Sequence, residues 1–157
     1  MIKLEKGSYL HGENLIYYLN NDFKLLEKLK CSRIGDITLE EFVDYNKKWC
    51  EKRKAELFYI ILNNEAIGSI SISHINKEKG HASVGYWLGS EYWGLGYGKE
   101  AFKEVIKIAK ELNIEVLKSK ILIDNIASRK IWDNYGSDYE IKGEMINYSL
   151  NISKLHI

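Results

Sequence analysis

Val84-Gly85-Tyr86-Trp87-Leu88-Gly89-Ser90-Glu91-Tyr92-Trp93-Gly94-Leu95-Gly96-Tyr97-Gly98-Lys99-Glu100-Ala101-Phe102 runs from an apolar stretch suited to a strand, through a loop with glycine at alternate positions, into an amphipathic helix. Glycines at that spacing keep side chains away, so successive backbone N–H groups can converge on one anion. The helix adds its unpaired N–H groups and the positive end of its dipole at the same point. Together they predict a cradle for a pyrophosphate. A Walker A loop does not fit: Gly98-Lys99 is followed by Glu100, and Trp93 stands where its first glycine would be. A dinucleotide fingerprint fits only in its relaxed form, with Ala101 as the third small residue, and lies mid-chain without an acidic partner about 20 residues on.

Downstream, the spacing predicts a helix over about Tyr97 to Leu112, with Ala101, Phe102, Val105, Ile108, Ala109 and Leu112 toward a sheet. Lys103, Glu104, Lys107, Lys110 and Glu111 would face water. Glu115 to Ile123 reads as the next strand, parallel to the Gly-Tyr-Trp-Leu strand because a helix connects them. A helix from Ser128 to Tyr135, with Gly136 at its C-cap, precedes a hairpin of Tyr139–Lys142 and Met145–Asn151. Upstream, Ile2 to Leu10 reads as a strand, and Leu15 to Leu29 as helical with one polar interruption at Asp22. Thr38-Leu39-Glu40-Glu41 is a capping box that opens a helix carrying a Phe42, Tyr45, Trp49 stripe, expected in the core. Leu57–Leu62 and Ile67–Ser73 follow as strands, the second with one offset in its register, and the Asn76-to-Gly80 loop makes the latter antiparallel to the Gly-Tyr-Trp-Leu strand.

At 157 residues the expectation is one domain, 1–157, of α+β class (an α/β-type mixed sheet). Its sheet should be mostly antiparallel and twisted, with one parallel pair and helices on both faces. A formal charge of +1 gives no electrostatic footprint for nucleic acid or an anionic membrane. Cys31 and Cys50 lack CxxC spacing and are expected as reduced structural thiols, in keeping with a cytoplasmic location and no metal. The start, Met1-Ile2-Lys3-Leu4-Glu5-Lys6, does not look like a signal peptide.

The run Gly-Tyr-Trp-Leu-x(5)-Trp-Gly-x-Gly-Tyr-Gly-x-Glu-Ala, followed by Asn125-Ile126-Ala127-Ser128, resembles the GNAT superfamily of N-acetyltransferases. Its closest likeness is to the branch that acetylates ribosomal-protein N-termini, and it is sharp from about Ile67 to Gly136. The resemblance implies a single fold in which the parallel pair splays, so that acetyl-CoA lies between the strands as a substitute strand. Backbone of Tyr86, Trp87 and Leu88 would bind the pantetheine arm, with a freed N–H near Leu88 polarising the acetyl carbonyl. Backbone of Trp93, Gly94, Leu95, Gly96, Tyr97, Gly98 and Lys99 would take the pyrophosphate. Trp93 stands where many relatives carry Gln or Arg, and reads as a packing residue. Asn125 and Ser128 are helix-capping types that would also contact the cosubstrate.

Two departures from the family leave the acid and base open. Relatives often place Glu where Ser83 stands, and a Tyr where Trp132 stands. His81 as base, and Tyr135 or Ser128 as donor to the leaving thiolate, are the candidates, with His74, Glu78 and Glu91 in reserve. Function is read as acetyl transfer to a primary amine, a peptide N-terminus or a small molecule, by direct attack in a ternary complex. A non-catalytic acyl-CoA-binding or sensing module is the alternative. A cationic acceptor would call for acidic groups at the cleft, and the Glu40-Glu41-Asp44 run is one source. The acceptor's identity, other acyl groups and a monomer or homodimer state are left open.

Overall fold

Strand propensity concentrates in two apolar stretches, Leu57 to Leu62 and Ala66 to Ile72, and these form two neighbouring interior strands of the sheet. The computed structural model describes residues 1–30 and 36–157. In chain order the elements are β1 (Lys3–Lys6), α1 (Gly12–Asn21), α2 (Phe23–Lys28), α3 (Leu39–Arg53), β2 (Glu56–Leu62), β3 (Glu65–Asn76) and β4 (His81–Leu88). A 3-10 turn (Ser90–Tyr92) leads to α4 (Tyr97–Glu111), β5 (Val116–Leu122), α5 (Ile126–Asn134), β6 (Asp138–Lys142) and β7 (Met145–Asn151). The seven strands make one sheet in the order β1-β2-β3-β4-β5-β7-β6. Every neighbouring pair is antiparallel except β4 and β5, so the expected α+β fold with a single parallel pair is what the chain adopts.

β3 is buried on both faces from Ala66 to Ser73. The offset in its alternation is a bulge: Ile60 pairs with Gly68 and Ile61 with Ala66, which leaves Ile67 as the extra residue. One face of the sheet packs against α4 and α5 through Ile70, Ile72, Val84, Leu117, Ile121 and Ile146. The other is covered by α1 and α3 through Leu15, Phe42, Tyr59 and Trp87.

Several expectations need correcting. The strand predicted over Ile2 to Leu10 pairs only from Lys3 to Lys6, because a turn at Tyr9 to Gly12 redirects the chain into α1. The helix predicted from Leu15 to Leu29 is two helices: the Asp22 carboxylate accepts the Leu25 N–H at 3.2 Å and so opens α2. On α3 the capping box forms, with Glu41 N–H donating to Thr38 Oγ1 at 3.1 Å. Its aromatic stripe is not core throughout: Phe42 is buried and Trp49 half-buried, but Tyr45 is 67% exposed, since α3 lays only Phe42 fully against the sheet. On α4 the seam also takes in Ile106, fully buried, while Ile108 packs against the core half-buried. The last helix begins at Ile126, before the expected Ser128. Gly136 does terminate it, with φ +68 and its N–H donating to the Asp133 carbonyl. Cys50 is a free, half-buried thiol whose burial pushes its pKa up, while Cys31 lies outside the described residues.

Asp22 also reaches across to the glycine loop, accepting from the Ser90 N–H at 2.7 Å and from Ser90 Oγ at 2.8 Å. One carboxylate thus fixes both the start of α2 and the residue that leaves β4. Asp22→Ala should lower stability by about 1–3 kcal/mol, the range for losing a cap and charge-assisted hydrogen bonds. Asp22→Asn should retain part of that, and urea unfolding of the two variants checks the ranking.

Candidate active site

β4 and β5 pair only over His81↔Val116, Ala82↔Leu117 and Ser83↔Lys118, then separate. Each remains bonded to its other neighbour: β4 to β3 as far as Leu88, and β5 to β7 as far as Leu122. The Gly89 N–H donates to the Ile67 carbonyl, so the odd residues of β4 turn their polar backbone groups toward β3. By alternation Val84, Tyr86 and Leu88 turn theirs into the gap. The indole N–H of Trp93 donates to the Leu88 carbonyl at 2.9 Å, leaving the Leu88 N–H pointing into the gap without that partner. Trp93 is therefore a packing and hydrogen-bonding residue, and Lys28 lies 4.7 Å above its ring.

At the open end of the gap lies a cleft of about 530 Å³ between α2, the glycine loop and α5. Gly94 and Gly96 adopt φ +75 and +88, conformations that side chains disfavour, and a Cβ on either would meet nothing within 4 Å. Both therefore face open space. Gly98 has a different task, since a Cβ there would lie 3.2 Å from the ring of Tyr86. Gly96 is the N-cap of α4 and supplies no side-chain cap, so the first N–H groups of the helix are left for a ligand. Of the residues expected to hold the cosubstrate, Tyr86, Trp87, Leu88, Trp93, Gly94, Gly96, Tyr97, Gly98, Lys99, Asn125 and Ser128 line this cleft. Leu95 does not; it points outward, 60% exposed.

Asn125 caps α5, its side chain accepting the Ser128 N–H at 3.3 Å. Ser128 is buried, and its Oγ lies 3.0 Å from the phenol of Tyr86. Burial pushes the Tyr86 phenol above its ordinary pKa, so it stays a neutral donor. This hydroxyl pair escaped the sequence reading, in which Tyr86 counted for its backbone alone. The signal available was Gly98, in the first turn of α4, which admits a ring beneath it.

Two proposed catalysts are not brought to the gap. His81 sits at the first residue of β4, opposite Asn76 and Val116, where the strands are still paired, and it lines neither cleft. Tyr135 stacks on Phe102, with ring centroids 5.5 Å apart, and burial raises its pKa. Trp132 packs edge-on to the same Phe102 at 4.8 Å. Of the reserves, Glu91 accepts from the Tyr18 hydroxyl at 3.1 Å, Glu78 lies in the β3–β4 turn, and His74 borders a second cleft.

That second cleft, of about 890 Å³, opens on the sheet face opposite α4 and includes Ser83, Gly85 and Lys118. The two clefts abut along β4, where Gly85 lines one and Tyr86 the other. The acidic run Glu40-Glu41-Asp44 lines neither: Glu41 serves the α3 cap and Asp44 pairs with Lys48 at 2.9 Å. Among the described residues no group of His, Cys, Asp and Glu is arranged to hold a metal, and no helix is long and apolar enough to cross a membrane.

Comparison with known proteins agrees with this geometry. The sequence profile of the acetyltransferase (GNAT) domain matches residues 13–137. An uncharacterized N-acetyltransferase, p20 of Bacillus licheniformis, is 31% identical over 105 residues, covering 60% of this chain and 59% of p20. The chain thus spans about three fifths of that relative's length. Among solved structures, RimL, a ribosomal L7/L12 alpha-N-protein acetyltransferase in complex with coenzyme A, superposes with a TM-score of 0.77 at 18% identity, covering 96% of this chain and 93% of that one. The microcin C7 self-immunity acetyltransferase MccE, in complex with acetyl-CoA and AMP, gives 0.78 at 19% identity, covering 96% and 92%. With the profile spanning the greater part of its length, the chain belongs to the GNAT acetyltransferase family.

Proposed function

We propose that the protein transfers an acetyl group from acetyl-CoA to a primary amine by direct attack in a ternary complex. The observation that carries this reading is the gap between β4 and β5, with one cleft at its open end and another on the opposite face, abutting at Gly85 and Tyr86. A donor and an acceptor can then meet at one point from opposite sides, which supplies proximity without a covalent intermediate. The coenzyme A and acetyl-CoA bound in the RimL and MccE structures support the same assignment of the donor.

The pyrophosphate is assigned to the N–H groups around Gly94 and Gly96 and at the start of α4, and the pantetheine arm to the backbone groups that Tyr86 and Leu88 turn into the gap. The free Leu88 N–H is assigned to the thioester carbonyl, where it stabilises negative charge on the oxygen as the amine adds. The neutral amine forms the C–N bond and loses its proton. The C–S bond breaks, and the thiolate accepts a proton from Ser128, which takes the Tyr86 phenol proton in its place; a proton from solvent, matching the one the amine sheds there, restores the phenol. No carboxylate stands at the gap in the place of Ser83, so the amine is expected to shed its proton to solvent.

Gly96→Asp should weaken coenzyme A binding by about a hundredfold or more, because a carboxylate would enter the anion seat. Gly96→Ala separates backbone strain from charge, and calorimetry showing wild-type affinity in the Asp variant would end the cradle argument. Coenzyme A, but not NAD or ATP, should raise the thermal midpoint, since only a ligand of the native state shifts unfolding; equal shifts with NAD would restore a dinucleotide site.

Turnover should rise with pH toward the pKa of the acceptor, about 8 for an α-amino group and about 10 for an alkylammonium. The raised phenol of Tyr86 stays protonated over that range. Ser128→Ala should cost about a hundredfold, as for loss of a proton donor, while His81→Ala and Tyr135→Phe should each cost less than about tenfold. Binding of acetyl-CoA without thiol release for any amine would instead identify a sensing module.

A further inference from the structure

The acceptor-side cleft carries its own chemical information, and the sheet register fixes it. Asp138 pairs with Ser149, Ser149 with Lys118, and Lys118 with Ser83, so these four side chains form one row on the face away from α4. A second row on the same face is Glu140, Asn147 and Lys120. α1 and α3 cover this face over β2 and β3 and stop short of the rows, which floor the open cleft.

The order of charge along the rows is not random. Lys118 stands beside Ser83, the last paired residue before the gap, and Lys120 is the next residue outward on that face of β5. The carboxylates lie two strands farther out, about 10 Å from the lysines at the usual strand spacing. Among the described residues neither lysine has an acidic partner within 4 Å; of the two carboxylates, Glu140 pairs with Lys142 at 3.8 Å and Asp138 has no basic partner within that distance. Gly85, which follows Ser83 on this face, has room above it: a Cβ there would have only Ser71 Oγ near it, at 3.9 Å. Neither packing nor a positive φ requires glycine at that position, so the open space belongs to the cleft.

We propose that the acceptor is a small primary amine that also carries an anionic group, a carboxylate or phosphate a few bonds from the nitrogen, held by Lys118 and Lys120. This rests on the acetyltransferase reading above. With the anion on the lysines, the amine lies over Gly85 and faces the gap. A polyamine meets the opposite arrangement, with its second cation beside two unpaired lysines, and like charges at that range oppose binding.

The test uses the full chain with acetyl-CoA and matched acceptors that differ only in the anionic group: α-amino acids against their amides, phosphoethanolamine against ethanolamine, with putrescine and spermidine as cationic members. The anionic member of a pair should have the higher kcat/KM by about tenfold or more, as for a charge-assisted hydrogen bond gained. The carboxylate and phosphate pairs distinguish which anion the site takes. Lys118→Gln and Lys120→Gln should bring the members of a pair within about threefold of each other, Lys118→Arg should keep the preference, and all should retain the thermal shift with coenzyme A. Gly85→Val should slow every acceptor and keep that shift.

Preference for the amides, ethanolamine or polyamines would overturn the proposal while leaving the acetyltransferase reading intact, as would a preference for anionic members that survives both Gln variants. No turnover with any member, while a peptide with a free N-terminus is acetylated, would overturn this inference alone; no thiol release with that peptide either, despite a coenzyme A shift, would overturn the acetyltransferase reading and this inference with it.

Discussion

The site depends on a broken strand pair. β4 and β5 share only three paired positions, and beyond Ser83 and Lys118 their facing backbone groups have no partner in each other. Such a rupture inside a sheet is costly unless each strand is held elsewhere, because buried polar backbone must be satisfied. Here β3 holds β4 along its remaining length and β7 holds β5 to its end. One exposed carbonyl, that of Leu88, is answered by the Trp93 indole. What is left over is a line of donors and acceptors suited to an extended ligand.

The glycines beside this gap answer three different physical demands. Gly94 and Gly96 satisfy backbone conformations with positive φ and leave space above them. Gly98 lets the first turn of α4 settle onto the Tyr86 ring. Gly85 meets no constraint from within the protein, which is why it is informative about what lies outside. A motif written as a string of glycines hides this division of labour, and the fold separates it.

Much of the architecture was legible because local signals agreed with each other. The Thr38–Glu41 capping box, the alternation in β3 with its Ile67 offset and the Gly136 stop are short-range features, and the chain realises each of them. The failures share a cause, which is dependence on a distant partner. Asp22 looked like a polar interruption of one helix; it caps α2 locally, and its second role, holding Ser90, comes from far along the chain. Tyr45 fits a helical period, yet the way α3 meets the sheet decides which residues of the stripe are buried. The rows of Lys118 and Asp138 could not be read at all, since strand order places them together and no sequence spacing encodes it.

The short contact between β4 and β5 also divides the sheet mechanically. On one side four strands run from β1 to β4; on the other, β5, β7 and β6 form a smaller ribbon. Three paired positions, together with the helices laid across one face, join the two parts. Opening at such a seam exposes few hydrogen bonds and so takes less free energy than opening elsewhere in the sheet. An extended ligand lodged there bonds to both parts and acts as a brace, converting part of its affinity into stiffness. Amide exchange at Tyr86 and Leu88 reports that stiffening at its source, and β7 and β6, which lie beyond the seam, should slow with it.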